Sequence, residues 1–541
     1  MISRRQLIGT AGVAAPALAF PAVLKGAAPD APLATCAQGK LKGTVENGVL
    51  VFKGVPYGGP VSGPEHRFRA PPPPESWTGV RDATKLGPVA PQPPGGFFGP
   101  GAKIGEDCLV LNVWTPALDG RKRPVMVYQH GGGFLVGSGG APWQDGGALA
   151  RQYDVVVVQS NHRLGLMGYL YLGELLGPEY QGNQGLLDLV AALRWVNINI
   201  SQFGGDPDNV MIFGESGGGG KTASLYAMPA AEPYFHKASI ESPIGPGRQT
   251  VEGAAATARK VVERLGLSDP KDILTLPLDA LIKAQMGNGP NLPPGAVMKD
   301  PPKDYQPGID FWPFIDGAIL PMEPFLCSAP AISAKKPLIV GGCKDESVFF
   351  YQGDASVFSL DIAGLKSRLT PIFGDSTQAW IDTFRKSRPE ATPSQLFIAI
   401  TTARPWRAYA TEIAEAKAKE GIAPVYSYIL DYPSPQKVRG TDFAEGSPHA
   451  SDISMKFDTA PMFGPKDPRR LATAHNMSEM WATFARTGVP AAKGQPEWKP
   501  YTLDKREVMI LDGECSLESD PESLERQFFE TQPDAIREKG L

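Results

Sequence analysis

A serine set between glycines is the part of this chain whose residue types most directly suggest chemistry. Gly214, Ser216 and Gly218 form the pattern Gly-x-Ser-x-Gly. This pattern is typical of a nucleophile elbow, a tight turn between a strand and a helix that exposes a serine hydroxyl. Glycines are needed because side chains would collide where the strand and the helix pass closely. The apolar run at residues 210–213 predicts the strand, and residues 223–228 can continue the helix.

A phosphate-binding loop is the second interpretation of the same stretch. Gly220, Lys221 and Thr222 resemble the end of a P-loop. That motif requires a glycine where this chain has Glu215. We therefore favour the nucleophile elbow, with Ser216 as the candidate nucleophile.

Two histidines could supply the base that Ser216 needs, because a neutral serine hydroxyl attacks poorly at pH 7. In the order typical of α/β-hydrolases an acid and then a histidine follow the serine, which leaves His449 and His475 of the six histidines. His475 lies in the apolar pattern of residues 470–486, which predicts a helix and favours a surface or packing role. His449 lies in a loop after the predicted strand at 425–430, where a base is expected.

The carboxylate that would orient this histidine is expected in a loop after an earlier strand. Asp345 and Glu346 both follow the predicted strand at residues 337–340. Such a carboxylate holds the imidazole in the correct tautomer and stabilises the imidazolium without accepting the proton. The spacing leaves both residues possible.

A glycine-rich loop precedes the elbow strand. Residues 130–134 read His-Gly-Gly-Gly-Phe and follow the predicted strand at 124–129. A loop of this kind, together with the N–H after the nucleophile, supplies the donors of an oxyanion hole. The predicted donors are the N–H groups of Gly132, Gly133 and Gly217.

Short strands alternating with helices must position these residues. The predicted strands lie at residues 108–114, 124–129, 155–159, 210–213, 237–240, 337–340, 425–430 and 508–511. Helical patterns separate several of them, notably residues 184–200. This alternation predicts an α/β fold with a large, mostly parallel sheet covered by helices. Residues 40–53 predict a β-hairpin, and the segments at about 246–335 and 353–420 are predicted helical and loop insertions over the sheet.

The composition limits the partners of this protein. The 541 residues carry a formal net charge of −4 with no long run of one sign. Neither a nucleic acid nor an acidic membrane surface is therefore an expected partner. The five cysteines are widely spread and form no Cys-x-x-Cys pair, which argues against metal binding. We expect no metal and no organic cofactor.

The first residues are typical of an export signal. Arg4 and Arg5 precede an apolar, alanine-rich stretch at residues 7–24. This arrangement predicts a twin-arginine signal at residues 1–28 and a periplasmic or secreted protein. Pro16 and Pro21 make the stretch a poor membrane anchor, so no stable membrane insertion is expected.

Several segments beyond the serine motif resemble one family. They include Phe52-Lys-Gly-Val-Pro-Tyr, Glu106-Asp-Cys-Leu-Val-Leu-Asn-Val-Trp114, Asn161-His-Arg-Leu-Gly165 and Gly182-Asn-Gln-Gly-Leu-Leu-Asp188. With the residue 130–134 loop and the elbow, the chain resembles the type-B carboxylesterases, which include para-nitrobenzyl esterases and cholinesterases. The resemblance covers residues 35–530 and implies a single α/β-hydrolase domain.

The resemblance also implies the roles of the candidate residues. It makes Ser216 the nucleophile, Glu346 the acid and His449 the base, and thereby prefers Glu346 to Asp345. The implied activity is that of an exported serine carboxylesterase, which hydrolyses small-molecule esters through an acyl-enzyme on Ser216. The alternatives are a non-catalytic binding protein of this fold, or the same triad acting on amides, carbamates or a polyester.

Two departures from the family concern contacts around the site. The usual disulfide partner of Cys108 falls at Ala90, and Ala450 and Asp452 follow His449 where the family commonly has glycine and glutamate.

Two further departures concern the start of the elbow helix. The residue after the nucleophile is usually alanine in the family and is Gly217 in this chain. Residues 217–220 are all glycine. We expect their missing side chains to widen the pocket beside Ser216.

Overall fold

An eleven-stranded mixed sheet forms the centre of the protein. The computed structural model describes residues 31–93, 98, 102–244, 249–288 and 305–532. The predicted export signal at residues 1–28 lies outside the described residues. The described residues from Pro32 onward form one compact unit.

The strands and helices of the described residues are numbered in chain order. The strands are β1 Leu33–Cys36, β2 Gly39–Lys42, β3 Thr44–Glu46, β4 Val49–Pro56, β5 Val80–Asp82, β6 Val110–Thr115, β7 Arg123–Gln129, β8 Val156–Ser160, β9 Gly205–Glu215, β10 Lys237–Glu241, β11 Gln249–Thr250, β12 Phe314–Ile315, β13 Leu338–Cys343, β14 Val425–Leu430, β15 Ser434–Lys437, β16 Ala444–Gly446, β17 Glu507–Leu511 and β18 Ser516–Ser519. The α-helices are α1 Gly147–Tyr153, α2 Gly165–Tyr169, α3 Gly173–Leu176, α4 Gln184–Asn199, α5 Gly217–Ala227, α6 Val251–Arg264, α7 Leu278–Met286, α8 Ser347–Tyr351, α9 Ile362–Phe373, α10 Thr377–Ser387, α11 Pro393–Thr402, α12 Ala408–Glu420, α13 Ser451–Lys456, α14 Pro468–Thr487 and α15 Ser523–Glu530. A π-helical turn, Ala403–Arg407, joins α11 to α12.

The sheet is parallel in its middle and antiparallel at its ends. Its strand order is β18-β17-β14-β13-β10-β9-β7-β8-β6-β4-β3. The strands from β17 to β8 in this order are parallel to one another, and β18, β6, β4 and β3 pair antiparallel. The predicted α/β fold with a mostly parallel sheet is confirmed.

Both faces of the sheet are buried. Alternate side chains of a strand point to opposite faces, so each strand contributes to the core on both sides. In β7, Val125 and Val127 belong to the apolar cluster that also contains the inner face of α4. Met126 and Tyr128 belong to the cluster that contains Met477 and Trp481 of α14. Helices therefore cover the sheet on both sides, as a parallel sheet requires.

The sequence patterns predicted the main strands of the central sheet and missed several short strands. All eight predicted strands are present, the helix predicted at residues 184–200 is α4, and β3 and β4 form the hairpin. The parallel pair β11–β12 was not predicted, because two-residue strands are too short to show a period. Residues 353–420 form α9 to α12, and α9 to α11 share an apolar cluster.

The register of the central strands brings several loops to one edge of the sheet. Glu215, the last residue of β9, is opposite Glu241, the last residue of β10, and Glu241 is opposite Gly341 of β13. The residues that follow these strands therefore lie at the carboxyl edge, where ligands of parallel α/β sheets usually bind. None of the helices in the described ranges is long and apolar enough to cross a membrane.

Candidate active site

Ser216 lies on a strained turn between β9 and α5. Its backbone has φ 61° and ψ −126°, a region that costs a non-glycine residue free energy and is often found at functional sites. The amide of Ser216 donates to the carbonyl of Glu241 at 3.0 Å, and its own carbonyl accepts from Gly220 at 3.0 Å. A Cβ on Gly214 or Gly218 would overlap the Gln129 carbonyl of β7. The close approach of strand and helix thus explains both glycines of the motif.

His449 and Glu346 form a buried pair at the carboxyl edge of the sheet. The Nδ1 atom of His449 lies 2.5 Å from Oε2 of Glu346. The other oxygen, Oε1, accepts from the Ser242 hydroxyl at 2.6 Å and from the Cys343 amide at 2.7 Å. These bonds fix the carboxylate, which in turn fixes the imidazole with a proton on Nδ1.

The two alternatives that spacing left open lie apart from this pair. The Asp345 carboxylate accepts from the Ser447 amide at 3.0 Å and so holds the loop before His449. The His475 side chain is 61% exposed on α14, with Nε2 3.6 Å from Glu479. The surface role predicted for His475 is confirmed.

The second ring nitrogen of His449 faces the elbow. Its Nε2 atom lies 3.3 Å from Oε1 of Glu215, the neighbour of Ser216. Within the described residues neither atom has an aligned hydrogen bond, and no bond joins Nε2 to the Ser216 hydroxyl. The second nitrogen of the imidazole therefore faces the Glu215 carboxylate but makes no hydrogen bond to the protein in the described residues.

Burial and nearby charges control the protonation of His449 and Glu215. Burial by itself would lower the pKa of His449, but the charges of Glu215 and Glu346 and the Glu346 hydrogen bond outweigh burial and raise it to about 9. Burial raises the pKa of Glu215, an effect that His449 opposes. The two groups therefore compete for protons near neutral pH.

The glycine loop at residues 130–134 lies against the start of α5. Gly132 and Gly133 both have positive φ, 87° and 63°. Among the residues that the structure describes, no hydrogen bond takes up the amide of Gly132, Gly133 or Gly217. Gly217 is also the first residue of α5, where helix amides attract negative charge. These three N–H groups remain available to an oxyanion.

The glycines at residues 217–220 do not widen a pocket, so that expectation was wrong. A Cβ on Gly217 would overlap the backbone of Gly133, and one on Gly219 would lie 2.6 Å from the Glu241 carbonyl. A Cβ on Gly220 would lie 2.5 Å from the Ile244 carbonyl. Neighbouring backbone fills the space that the side chains leave, so the glycines let the loop and helix pack closely.

Aromatic rings surround the imidazole. The centroids of Phe349, Phe350 and Trp406 lie 5.8, 5.0 and 5.7 Å from that of His449. Phe350 and Trp406 also stack on each other, 5.0 Å apart. Apolar rings on this side exclude water and offer a surface to an apolar group.

Sequence reasoning did not assign two residues that complete this geometry. Ser242 follows β10 and binds Glu346, and Glu215 lies inside the elbow motif and faces His449. The signal for Ser242 was a polar residue directly after the strand beside the elbow strand. For Glu215 it was an acidic residue next to the candidate nucleophile.

The departures at Cys108 and Asp452 also have structural outcomes. All five cysteines are free, and Cys108 is buried without a disulfide. Asp452 binds Lys456 at 2.7 Å and accepts from Tyr428 at 3.2 Å. No cluster of three or more His, Cys, Asp or Glu side chains that could hold a metal occurs in the ranges that the structure describes.

Solved structures with the same fold define the class of protein. A carboxylesterase of Geobacillus stearothermophilus matches with a TM-score of 0.78 and 34% identity, over 92% of this chain and 99% of that chain. A PNB esterase matches with a TM-score of 0.75 and 35% identity, over the same shares of the two chains. The fold is that of the α/β-hydrolases.

The sequence comparisons show the family. The profile described as "Carboxylesterase family" matches residues 30–529. The para-nitrobenzyl esterase of Bacillus subtilis (strain 168) is 36% identical, over 92% of this chain and 98% of that protein. The phenmedipham hydrolase of Pseudarthrobacter oxydans is 33% identical, over 89% of this chain and 95% of that protein. The chain belongs to the carboxylesterase family and is a carboxylic ester hydrolase by class, which confirms the resemblance seen in the sequence.

Proposed function

We propose that this protein hydrolyses small-molecule carboxylic esters through an acyl-enzyme on Ser216. The observation that carries the proposal is the buried hydrogen bond between Nδ1 of His449 and Glu346. This bond leaves Nε2 of His449 facing the elbow that holds Ser216. The names of the two relatives, an esterase and a hydrolase, support a small-molecule substrate.

The first half of the reaction forms the acyl-enzyme. His449 Nε2 takes the hydroxyl proton of Ser216, whose oxygen attacks the ester carbonyl carbon. The carbonyl oxygen becomes an oxyanion, which accepts hydrogen bonds from the amides of Gly132, Gly133 and Gly217. The carbon–oxygen bond to the alcohol then breaks, and the imidazolium returns its proton to the leaving alcohol.

The second half repeats these steps with water. His449 takes a proton from a water molecule, which attacks the acyl carbon, and Ser216 leaves with the proton from the imidazolium. Glu346 stabilises the imidazolium in both halves and stays ionised. The rings of Phe350 and Trp406 beside the imidazole favour substrates with an apolar group on that side.

Labelling and substitution of Ser216 test the proposal. A fluorophosphonate probe should modify Ser216 in the folded protein, as peptide mass spectrometry would show. Ser216→Ala should lower kcat for a nitrophenyl ester by about 10⁴-fold or more. His475→Ala, which changes the exposed histidine on α14, is the matched control and should keep activity.

A folded wild-type protein without label on Ser216 would contradict the proposal. That result would favour a binding protein of the same fold. An active protein that prefers amides or carbamates to esters would keep the triad and change only the substrate class.

We also propose that the chain is exported by the twin-arginine route. Arg4 and Arg5 with the apolar stretch after them support this localisation. Fractionation of cells that express the full chain should find the protein outside the cytoplasm, and replacing both arginines by lysine should retain it inside.

A further inference from the structure

Lys221 is a buried lysine that the proposed reaction does not use. It lies on α5, five residues after Ser216, and its side chain is fully shielded from solvent. Its Nζ atom donates to the carbonyl of His130 at 2.9 Å. His130 is the first residue of the loop at residues 130–134, so Lys221 holds the beginning of that loop.

The same ammonium group faces the end of the loop. Nζ of Lys221 lies 5.6 Å from the ring centroid of Phe134, a cation–π distance. The Phe134 ring packs edge-on against Trp312 and Tyr169, each 5.4 Å away. Its carbonyl accepts from Gly165 at 2.7 Å. One side chain therefore links both ends of the segment that contains Gly132 and Gly133.

Stability does not explain a lysine at this position. No carboxylate within the described ranges pairs with Lys221, and burial lowers the pKa of its amine to about 7. The neighbouring His130 and His162 are also buried. Burial lowers the pKa values of both histidines, and the charge of Lys221 lowers them further. Burying a charge without an ionic partner costs folding free energy. A variant with an apolar residue of the same length at position 221 should be at least as stable as the wild type.

We infer that Lys221 is a positioning residue for ester hydrolysis, which fixes the loop at residues 130–134 so that the amides of Gly132 and Gly133 meet the oxyanion. The inference rests on the proposed function, because it needs these amides to act in the reaction. Glycines at positive φ do not hold a loop by themselves, since glycine has the largest conformational freedom of any residue. The contacts at His130 and Phe134 supply the missing restraint.

Lys221→Met tests this role because it keeps the length of the side chain and removes the donor and the charge. We expect kcat to fall about 10-fold to 100-fold with KM changed less than about 3-fold. This loss is smaller than the 10² to 10³ of a deleted oxyanion donor, and close to that of a 1 Å misplacement. Binding of a trifluoromethyl ketone, which mimics the tetrahedral intermediate, should weaken by the same factor as kcat.

Lys417→Met is the matched control. Lys417 is also fully buried, donates to the carbonyl of Ala334 at 2.6 Å and lies 5.8 Å from the ring of Tyr226. It differs from Lys221 in also pairing with the Glu420 carboxylate. Its contacts are remote from the glycine loop, so kcat and ketone affinity should stay at the wild-type values. The Tm of Lys221→Met should equal or exceed that of the wild type.

An unchanged kcat in folded Lys221→Met would overturn the inference, as would equal losses in both lysine variants. If the methionine variant does not fold, Lys221→Gln takes its place, and wild-type kcat in that shorter variant overturns the inference too. Fluorophosphonate labelling of Ser216 in the wild type is run beside these assays. If the wild type is labelled and active and the Lys221 variant keeps wild-type kcat, only the positioning role is rejected. A wild type that is not labelled rejects the proposed function.

Discussion

At the scale of single residues, the site combines one strained serine with a histidine held on one side only. Nδ1 of His449 is bound to Glu346, and Nε2 faces Glu215 at 3.3 Å. Because the second contact is not an aligned hydrogen bond, Nε2 is free to exchange a proton with a hydroxyl. Glu215 acts on this exchange through its charge.

The pH dependence of the reaction should reveal that charge. His449 must be neutral to act as a base, so activity should rise with pH as the imidazolium, whose pKa is raised to about 9, loses its proton. Glu215→Gln removes a carboxylate that raises this pKa. The acid limb of kcat/KM should therefore move to lower pH, by roughly 1 to 3 pH units, in pH–rate profiles with a neutral ester.

Asp345→Asn is the control for that experiment. Asp345 is a nearby half-buried carboxylate that accepts from the Ser447 amide and makes no hydrogen bond to His449. The acid limb of kcat/KM in Asp345→Asn should lie at the same pH as in the wild type. An acid limb that moves to higher pH in Glu215→Gln, or does not move, would contradict the electrostatic role of Glu215.

At the scale of elements, the site depends on how closely α5 approaches the loop after β7. Gly217 and Gly133 are in backbone contact, and a methyl group on Gly217 would overlap the Gly133 carbonyl. The loop at residues 130–134 therefore occupies the space that a methyl group at residue 217 would need.

Gly217→Ala should displace the loop and lower kcat by about 10-fold to 100-fold, the cost of a misplaced donor. The loss should be similar for esters with small and with bulky acyl groups, because the methyl group moves the loop and does not fill a pocket. Steady-state kinetics on a matched ester series measures both features. Gly353→Ala, at a position with open space around it, should leave kcat unchanged.

A selective loss for bulky acyl esters would contradict this account of Gly217. It would instead support the widened pocket that the four glycines first suggested. Full activity on every ester would show that the loop tolerates the methyl group.

At the scale of the whole molecule, a buried polar network connects the sheet to the helices behind the site. Lys456 of α13 binds Glu241 of β10 at 2.5 Å and Asp452 at 2.7 Å, and all three are fully buried. Trp481 of α14 donates to Glu241 at 2.6 Å. Burial by itself would lower the pKa of Lys456, but the two carboxylates outweigh it and raise the pKa above its usual range.

Lys456→Met should destabilise the protein because it leaves two carboxylates buried without their cation. We expect a loss of about 3 to 5 kcal/mol in the free energy of unfolding near pH 8, measured by urea denaturation. Burial raises the pKa of Glu241, and loss of the cation should raise it further. The folded variant then binds protons more readily than the unfolded chain, so its deficit should shrink as the pH falls toward 5.

Lys344→Met is the exposed counterpart. Lys344 pairs with Asp431 at 2.8 Å, and both side chains are more than one third exposed. Lys344→Met should lower the free energy of unfolding by less than about 1 kcal/mol, both near pH 8 and near pH 5. A deficit in Lys456→Met that is equally small, or that grows as the pH falls, would contradict the proposed balance of buried charges.

The sequence by itself determined the fold class, the elbow at Ser216 and the glycine loop, because each is a pattern among neighbours along the chain. Chain order reduced the candidate base to His449 or His475, and the helical pattern around His475, which is local, favoured His449. It could not choose between Asp345 and Glu346 by spacing, and needed the family resemblance to do so.

Only the tertiary structure decided which groups meet. Ser242 and Glu346 are 104 residues apart, and Lys221 and His130 are 91 residues apart. Their contacts depend on the register between strands and on the distance between a helix and a loop, which no local pattern specifies. The same reason explains the error about residues 217–220: the sequence shows which side chains are missing, but only the packed chain shows that backbone occupies their space.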